Sequence, residues 1–162
     1  MRNLVKLIDK TLAGALIIAM ISILLVVIWQ VISRYLLQDP ASATEELSRF
    51  LLIWIGILGA AYAYRQKVHL GFNLLVHKQS EKVQKLIMTV VELLVMMFCV
   101  TVLVMGGHAL VNLTLDLNQI SAALGVKVGL IYTVLPISGV IIAFYCGVNI
   151  YNLWIDETQE PL

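Results

Sequence analysis

Glu92 has the clearest capacity for chemistry in this sequence, because it is the one charged residue in a 22-residue apolar stretch, residues 86–107. A stretch of that length is long enough for a helix to cross a bilayer. An unpaired carboxylate at membrane depth costs several kcal/mol, so a compensating group is required. Lys85 lies two turns earlier on the same helical face and is one such group. Protonation and a cation from a partner protein are the others. A coupling-ion site would need further carboxylates or amides at the same depth, and the nearest intramembrane candidates are hydroxyls such as Thr89 and Thr101, so we do not assign ion coupling to this chain.

A second group of charges stands at the start of another apolar stretch. Glu45 and Glu46 precede Arg49 by four and three residues. On a helix these spacings bring both carboxylates within reach of the arginine. The group is expected to form an ion pair at the membrane surface or to contact a partner subunit.

Residues that commonly serve catalysis or cofactor binding lie in unsuitable positions. His69 and His77 fall in one loop and His108 at the far end of a stretch, whereas a b-type haem needs two imidazoles at matching depth. Cys99 and Cys146 form no Cys-x-x-Cys pair and are not expected to form a disulfide. No metal-ligand spacing, nucleophile elbow or phosphate loop is present. We therefore predict that the chain is not an enzyme and carries no cofactor.

The elements that position these side chains are four apolar stretches. Hydrophobic residues make up 60% of the chain and charged residues 13%, against about 25% charged residues in soluble domains. A helix needs roughly 20 apolar residues to cross a bilayer. The sequence thus predicts an all-α integral membrane protein that forms a single domain, 1–162. Its transmembrane helices are expected at residues 11–35, 44–65, 86–108 and 128–155.

The distribution of positive charge predicts the orientation. The loops and termini on one side hold eight Lys and Arg residues, and those on the other side hold three. Because positively charged loops stay inside, both termini are expected in the cytoplasm. The segment from Lys67 to Lys85 is either a short interfacial helix on membrane lipids or a solvated loop. The net charge of +1 says nothing about nucleic acid, but the sequence has no basic patch with interleaved aromatics, so nucleic acid is excluded as a partner.

Small residues recur at four-residue spacing in two of the stretches. In a bilayer such residues let helices approach closely, so they are candidates for helix contacts. The spacing does not distinguish a neighbour in the same chain from a partner subunit. The candidates are Gly56, Gly59, Ala60, Ala63, Gly139, Ala143 and Gly147.

The most specific run of the sequence, residues 45–54, reads EELSRFLLIW, and Gly-Ala-Ala follows at 59–61. With Arg65, His69 and Asn73, it resembles the small membrane subunit of tripartite ATP-independent periplasmic (TRAP) transporters, the DctQ family. Asn73 departs from the aspartate that is frequent in that family, so the resemblance supports no charge role there.

The resemblance implies a non-catalytic scaffold subunit in a bacterial inner membrane. A large TRAP membrane subunit would move an organic acid of the C4-dicarboxylate or sialic acid type, with sodium coupling in that subunit. A periplasmic substrate-binding protein would deliver the acid and could meet Asp39 and Asp116. The residues that would secure the interface with the large subunit are Glu45, Glu46, Arg49 and Trp54.

Two other functions remain open at this point. The chain could be a self-sufficient homodimeric four-span exporter with Glu92 as its proton-coupled acid, or a membrane redox subunit. Co-purification separates the first possibility from the scaffold, because a scaffold brings down a much larger membrane protein. A visible spectrum tests for haem.

Overall fold

The computed structural model describes residues 2–39, 41–66 and 81–155. Within these residues, four helical spans are long and apolar enough to cross a membrane, which confirms the predicted fold class. The segment 67–80, with His69, His77 and Asn73, lies outside the described residues. The helices are α1 (Arg2–Tyr35), α2 (Ser42–Arg65), α3 (Glu81–Phe98), α4 (Gly107–Asp116), α5 (Val128–Tyr132) and α6 (Val134–Ile155).

The third span is formed by α3, a π-helical segment at Cys99–Gly106 and α4, and the fourth is formed by α5 and α6. The first span is longer than a bilayer requires. Its 34 residues extend over roughly 51 Å at 1.5 Å per residue. The charge-free part, residues 11–33, matches the hydrocarbon core of about 30 Å, so residues 2–10 continue the helix beyond it.

The spans pack mainly in the order first, second, fourth, third. The fourth span is the most buried of them, and Tyr145, Cys146 and Ser138 are almost fully enclosed. Much of the first span is exposed, as expected for a helix that faces lipid. Cys99 and Cys146 are both free and buried.

The third and fourth spans approach most closely where a glycine faces a side chain. A Cβ atom on Gly139 would lie 2.7 Å from the Leu103 Cβ and 3.2 Å from the Cys99 carbonyl oxygen. A Cβ on Gly129 would lie 2.6 Å from the Leu115 Cγ. At Gly139 an added side chain would press on the Leu103 Cβ and the Cys99 backbone, which cannot rotate away, whereas at Gly129 the Leu115 side chain would have to shift.

The fourth span is interrupted at Thr133, between α5 and α6. Pro136 has no N–H to donate to the carbonyl of Tyr132, which accounts for a break at this position. The Trp54 indole Nε1 donates to the Ile131 carbonyl oxygen at 3.0 Å. A side chain of α2 therefore forms a hydrogen bond with the backbone of the fourth span beside the interruption.

Candidate subunit interface and buried polar clusters

Glu92 is bound by two other helices of the same chain. Its Oε1 accepts a hydrogen bond from the Asn149 Nδ2 at 2.9 Å, and its Oε2 accepts one from the Tyr64 hydroxyl. The Tyr64 hydroxyl also lies 3.2 Å from the Cys146 Sγ. Glu92 is only 9% exposed, so this cluster ties α2, α3 and α6 together inside the protein.

Of the three possible ways to compensate Glu92, pairing with Lys85 is not the one found. No Lys or Arg nitrogen of the described residues lies within 4 Å of the Glu92 carboxylate. The sequence also offered a signal for the true partners, because Tyr64 and Asn149 lie at depths similar to that of Glu92, near the same ends of their spans.

A second cluster connects the first span to the bundle. The Arg65 Nε lies 3.3 Å from the Asp9 Oδ2, and the Tyr145 hydroxyl donates to the Asp9 Oδ1 at 2.7 Å. The Arg65 guanidinium also stands over the Tyr145 ring, 5.8 Å from its centre. Sequence reasoning singled out Arg65 only through the resemblance and missed Asp9, which appeared to be one charge among several near the N-terminus.

Glu46 holds a loop and does not pair with Arg49. Its Oε2 accepts hydrogen bonds from the Ser121 hydroxyl at 2.9 Å, the Ala123 N–H at 2.9 Å and the Leu124 N–H at 3.0 Å. The prediction that both acids reach Arg49 is therefore wrong for Glu46. Its carboxylate instead fixes the connection between the third and fourth spans.

Glu45 forms the predicted ion pair. Its Oε1 lies 2.7 Å from the Arg49 Nη2, one helical turn away, and its Oε2 lies 3.9 Å from the Arg34 Nη2 of the first span. The side chains are well exposed, at 48% for Glu45, 70% for Arg49 and 57% for Arg34. Exposed pairs of this kind stabilise a fold only slightly, so the cluster contributes little to the folding of the isolated chain.

One face of α2 points away from the rest of the protein. Its exposed residues recur every three or four positions along the helix: Glu45, Arg49, Leu52, Gly56 and Ala60. We refer to these five residues as the α2 stripe. A Cβ atom on Gly56 or on the adjacent Gly59 would meet nothing within 4 Å. The stripe therefore combines an ion pair at one end with a shallow, small-residue groove towards the middle of the span.

The remaining candidates divide between internal and open positions. Gly139 packs against the third span, whereas Gly147 has open space around it. Ala63 and Ala143 are half-buried. Trp54 is half-buried against the core and makes the hydrogen bond to Ile131.

Asp39 and Asp116 lie at the same end of the bundle as Glu46. Asp39 lies three residues before the start of α2, and Asp116 ends the third span, whose following loop is the one that Glu46 binds. Both aspartates are exposed. The structure therefore brings the two residues predicted to face the receptor to one surface.

The family model described as "Tripartite ATP-independent periplasmic transporters, DctQ component" matches residues 23–156. The chain belongs to the DctQ family. This DctQ chain is 27% identical over 154 residues to the sialic acid TRAP transporter small permease protein SiaQ of Vibrio cholerae. That similarity covers 94% of the chain and 85% of SiaQ.

Two longer permeases contain a region similar to this DctQ chain. The sialic acid TRAP transporter permease protein SiaT of Haemophilus influenzae is 30% identical over 137 residues, which cover 84% of the chain and 21% of SiaT. The isethionate TRAP transporter permease protein DctMQ of Oleidesulfovibrio alaskensis is 27% identical over 129 residues, which cover 76% of the chain and 20% of DctMQ. The DctQ chain thus corresponds to about a fifth of each. It is a multi-pass inner-membrane transporter component and not an enzyme.

Proposed function

We propose that this DctQ subunit is the scaffold that holds the large membrane subunit of a TRAP transporter, and that it binds that subunit through the α2 stripe. A large membrane subunit is its partner. The observation that carries the proposal is the stripe itself, because its small residues leave a groove that no other part of the described chain fills. Grooves of this kind admit a second helix at close range.

The polar clusters support a scaffold in preference to a conduit. Every buried side-chain nitrogen or oxygen of the described residues has a hydrogen-bond partner. Glu92, the acid that an exporter would need, uses both carboxylate oxygens to join three helices. We therefore place the path of the solute and the sodium coupling in the large subunit.

The cargo and orientation follow from the charges and the relatives. SiaQ, SiaT and DctMQ are named for sialic acid or isethionate, which are both organic acids, so we propose an organic anion as the substrate. The charge bias of the loops favours cytoplasmic termini. In that orientation Asp39, Asp116 and the loop held by Glu46 face the periplasm, where a substrate-binding protein would dock.

Co-purification with matched variants tests the proposal. Ala60→Trp fills the groove of the α2 stripe, whereas Ala109→Trp places the same side chain at an exposed alanine of the third span. The tagged chain is co-expressed with the large subunit and extracted in mild detergent. We expect Ala60→Trp to lose the large subunit and Ala109→Trp to retain it. Equal recovery with both variants, or a wild-type chain that purifies alone as a homodimer, would contradict the proposal.

A further inference from the structure

We infer that the large subunit places an acidic side chain against Arg34 and Arg49, at the end of the α2 stripe where α2 begins. This inference rests on the proposed function and adds to it the chemistry of the partner residue. The interface would then consist of a small-residue groove within the bilayer and an interchain ion pair in the headgroup layer.

The first observation is a surplus of positive charge. Arg49 and Arg34 share the single carboxylate of Glu45, at 2.7 Å and 3.9 Å. Among the described residues no other carboxylate lies within 4 Å of either guanidinium. The three side chains therefore carry a net charge of +1, and the longer distance leaves Arg34 only weakly neutralised.

The nearest acid in sequence is not available to neutralise this charge. Glu46 follows Glu45 directly, but its Oε2 accepts three hydrogen bonds from the loop that contains Ser121 and Leu124. Turning Glu46 towards Arg49 would leave those donors without their partner. Rotation of the Glu46 side chain towards Arg49 would therefore cost those hydrogen bonds, so the cluster keeps its surplus positive charge.

The second observation is that the surplus charge continues the face proposed for the large subunit. Arg49 and Gly56 are two turns apart on the α2 stripe, roughly 10 Å at 1.5 Å per residue. Packed helices lie about 8–10 Å apart, so a helix that occupies the groove at Gly56 is still adjacent to α2 at Arg49. Covering a guanidinium removes water from it, which is unfavourable unless an opposite charge replaces the water.

A carboxylate is the group that meets this requirement best. The planar guanidinium presents paired N–H donors that match the two oxygens of an Asp or Glu side chain. The phosphate of a lipid would satisfy the same charge, but a helix in the groove leaves protein, not lipid, in front of Arg49. We therefore assign the contact to the large subunit.

Charge reversal tests this contact. The variant is the double substitution Arg34→Glu and Arg49→Glu, and the matched control is Lys127→Glu, an exposed cation at the same end of the bundle. Recovery of the co-expressed large subunit is measured per tagged small subunit. We expect at least a tenfold loss for the double variant and less than a twofold change for the control. The double substitution Arg34→Gln and Arg49→Gln removes both positive charges without adding repulsion to Glu45. It should also lower recovery of the large subunit, and it serves as the test if the double Glu variant folds poorly.

A second-site screen identifies the partner residue. Each Asp and Glu in the periplasmic loops of the large subunit is changed to Arg and combined with the double Glu variant. Restored recovery with one of these substitutions supports the inference. Wild-type recovery with the double Glu and double Gln variants would overturn it, even where Ala60→Trp still releases the large subunit and the scaffold function stands. The inference would also be overturned if native mass spectrometry of the complex showed that the double variants lose a bound anionic phospholipid but keep the large subunit.

Discussion

Replacing Gly139 with alanine should separate the third and fourth spans. The new Cβ would lie 2.7 Å from the Leu103 Cβ, 2.9 Å from the Val104 Cγ2 and 3.2 Å from the Cys99 carbonyl oxygen. The Leu103 Cβ is bonded directly to the backbone and cannot rotate away, so one helix must move. Gly147 provides the matched control, because it lies two turns further along α6 and a Cβ there meets nothing within 4 Å.

Gly139→Ala and Gly147→Ala gain the same stability from backbone entropy, but only Gly139→Ala creates a steric clash. Glycine to alanine in a helix interior gains about 1 kcal/mol from backbone entropy, and both variants gain it. Overpacking a close contact costs about 1–3 kcal/mol, and only Gly139→Ala incurs that cost. We expect Gly147→Ala to be about 1 kcal/mol more stable than the wild type and Gly139→Ala to be unchanged or up to about 2 kcal/mol less stable.

The measurement is reversible unfolding of the isolated subunit in mixed micelles, titrated with a denaturing detergent and followed by far-ultraviolet circular dichroism. The free energies of unfolding of the wild type and the two variants are compared at one micelle composition. Equal stability of Gly139→Ala and Gly147→Ala would refute the reasoning, because it would mean that the third and fourth spans do not approach closely at Gly139.

Three further predictions concern the polar clusters. Glu92→Ala leaves the Tyr64 hydroxyl without its acceptor and should lower the free energy of unfolding by about 1–3 kcal/mol. Glu92→Gln keeps an acceptor oxygen and should lower the free energy of unfolding less. Equal losses with the two variants would argue against this hydrogen bond. Glu46→Ala should speed hydrogen exchange at the Ala123 amide, and unchanged exchange would contradict the loop contact. Asp9→Ala removes the link to α2 and α6, so limited proteolysis should cut the start of the first span faster than in the wild type; an unchanged rate would mean that this link does not hold the span.

The sequence predicted features that depend on short-range patterns. The four spans follow from the length of the charge-free stretches, and the pair of Glu45 with Arg49 follows from their four-residue spacing. These predictions need only the geometry of one helix. They do not require knowledge of which helices are neighbours.

The predictions that failed depend on that knowledge. Glu92 is bound by residues 28 and 57 positions away in sequence, and Glu46 by residues 75 to 78 positions away. Gly56 and Gly139 have equivalent spacing patterns, yet one faces outward and the other packs against the third span. Only the three-dimensional arrangement of the spans distinguishes such positions.

The hydrogen bond from Trp54 to Ile131 also limits how the fourth span can move. A proline break usually provides a swivel, since the carbonyl groups beside it lack donors. Within a hydrocarbon layer no water replaces a lost hydrogen bond, so breaking the Trp54 contact with the Ile131 carbonyl oxygen is unfavourable. The discontinuity near Pro136 is therefore braced from the neighbouring helix. Because this hydrogen bond joins the two spans, a change in the angle of the fourth span at the break would either carry the second span with it or cost the contact.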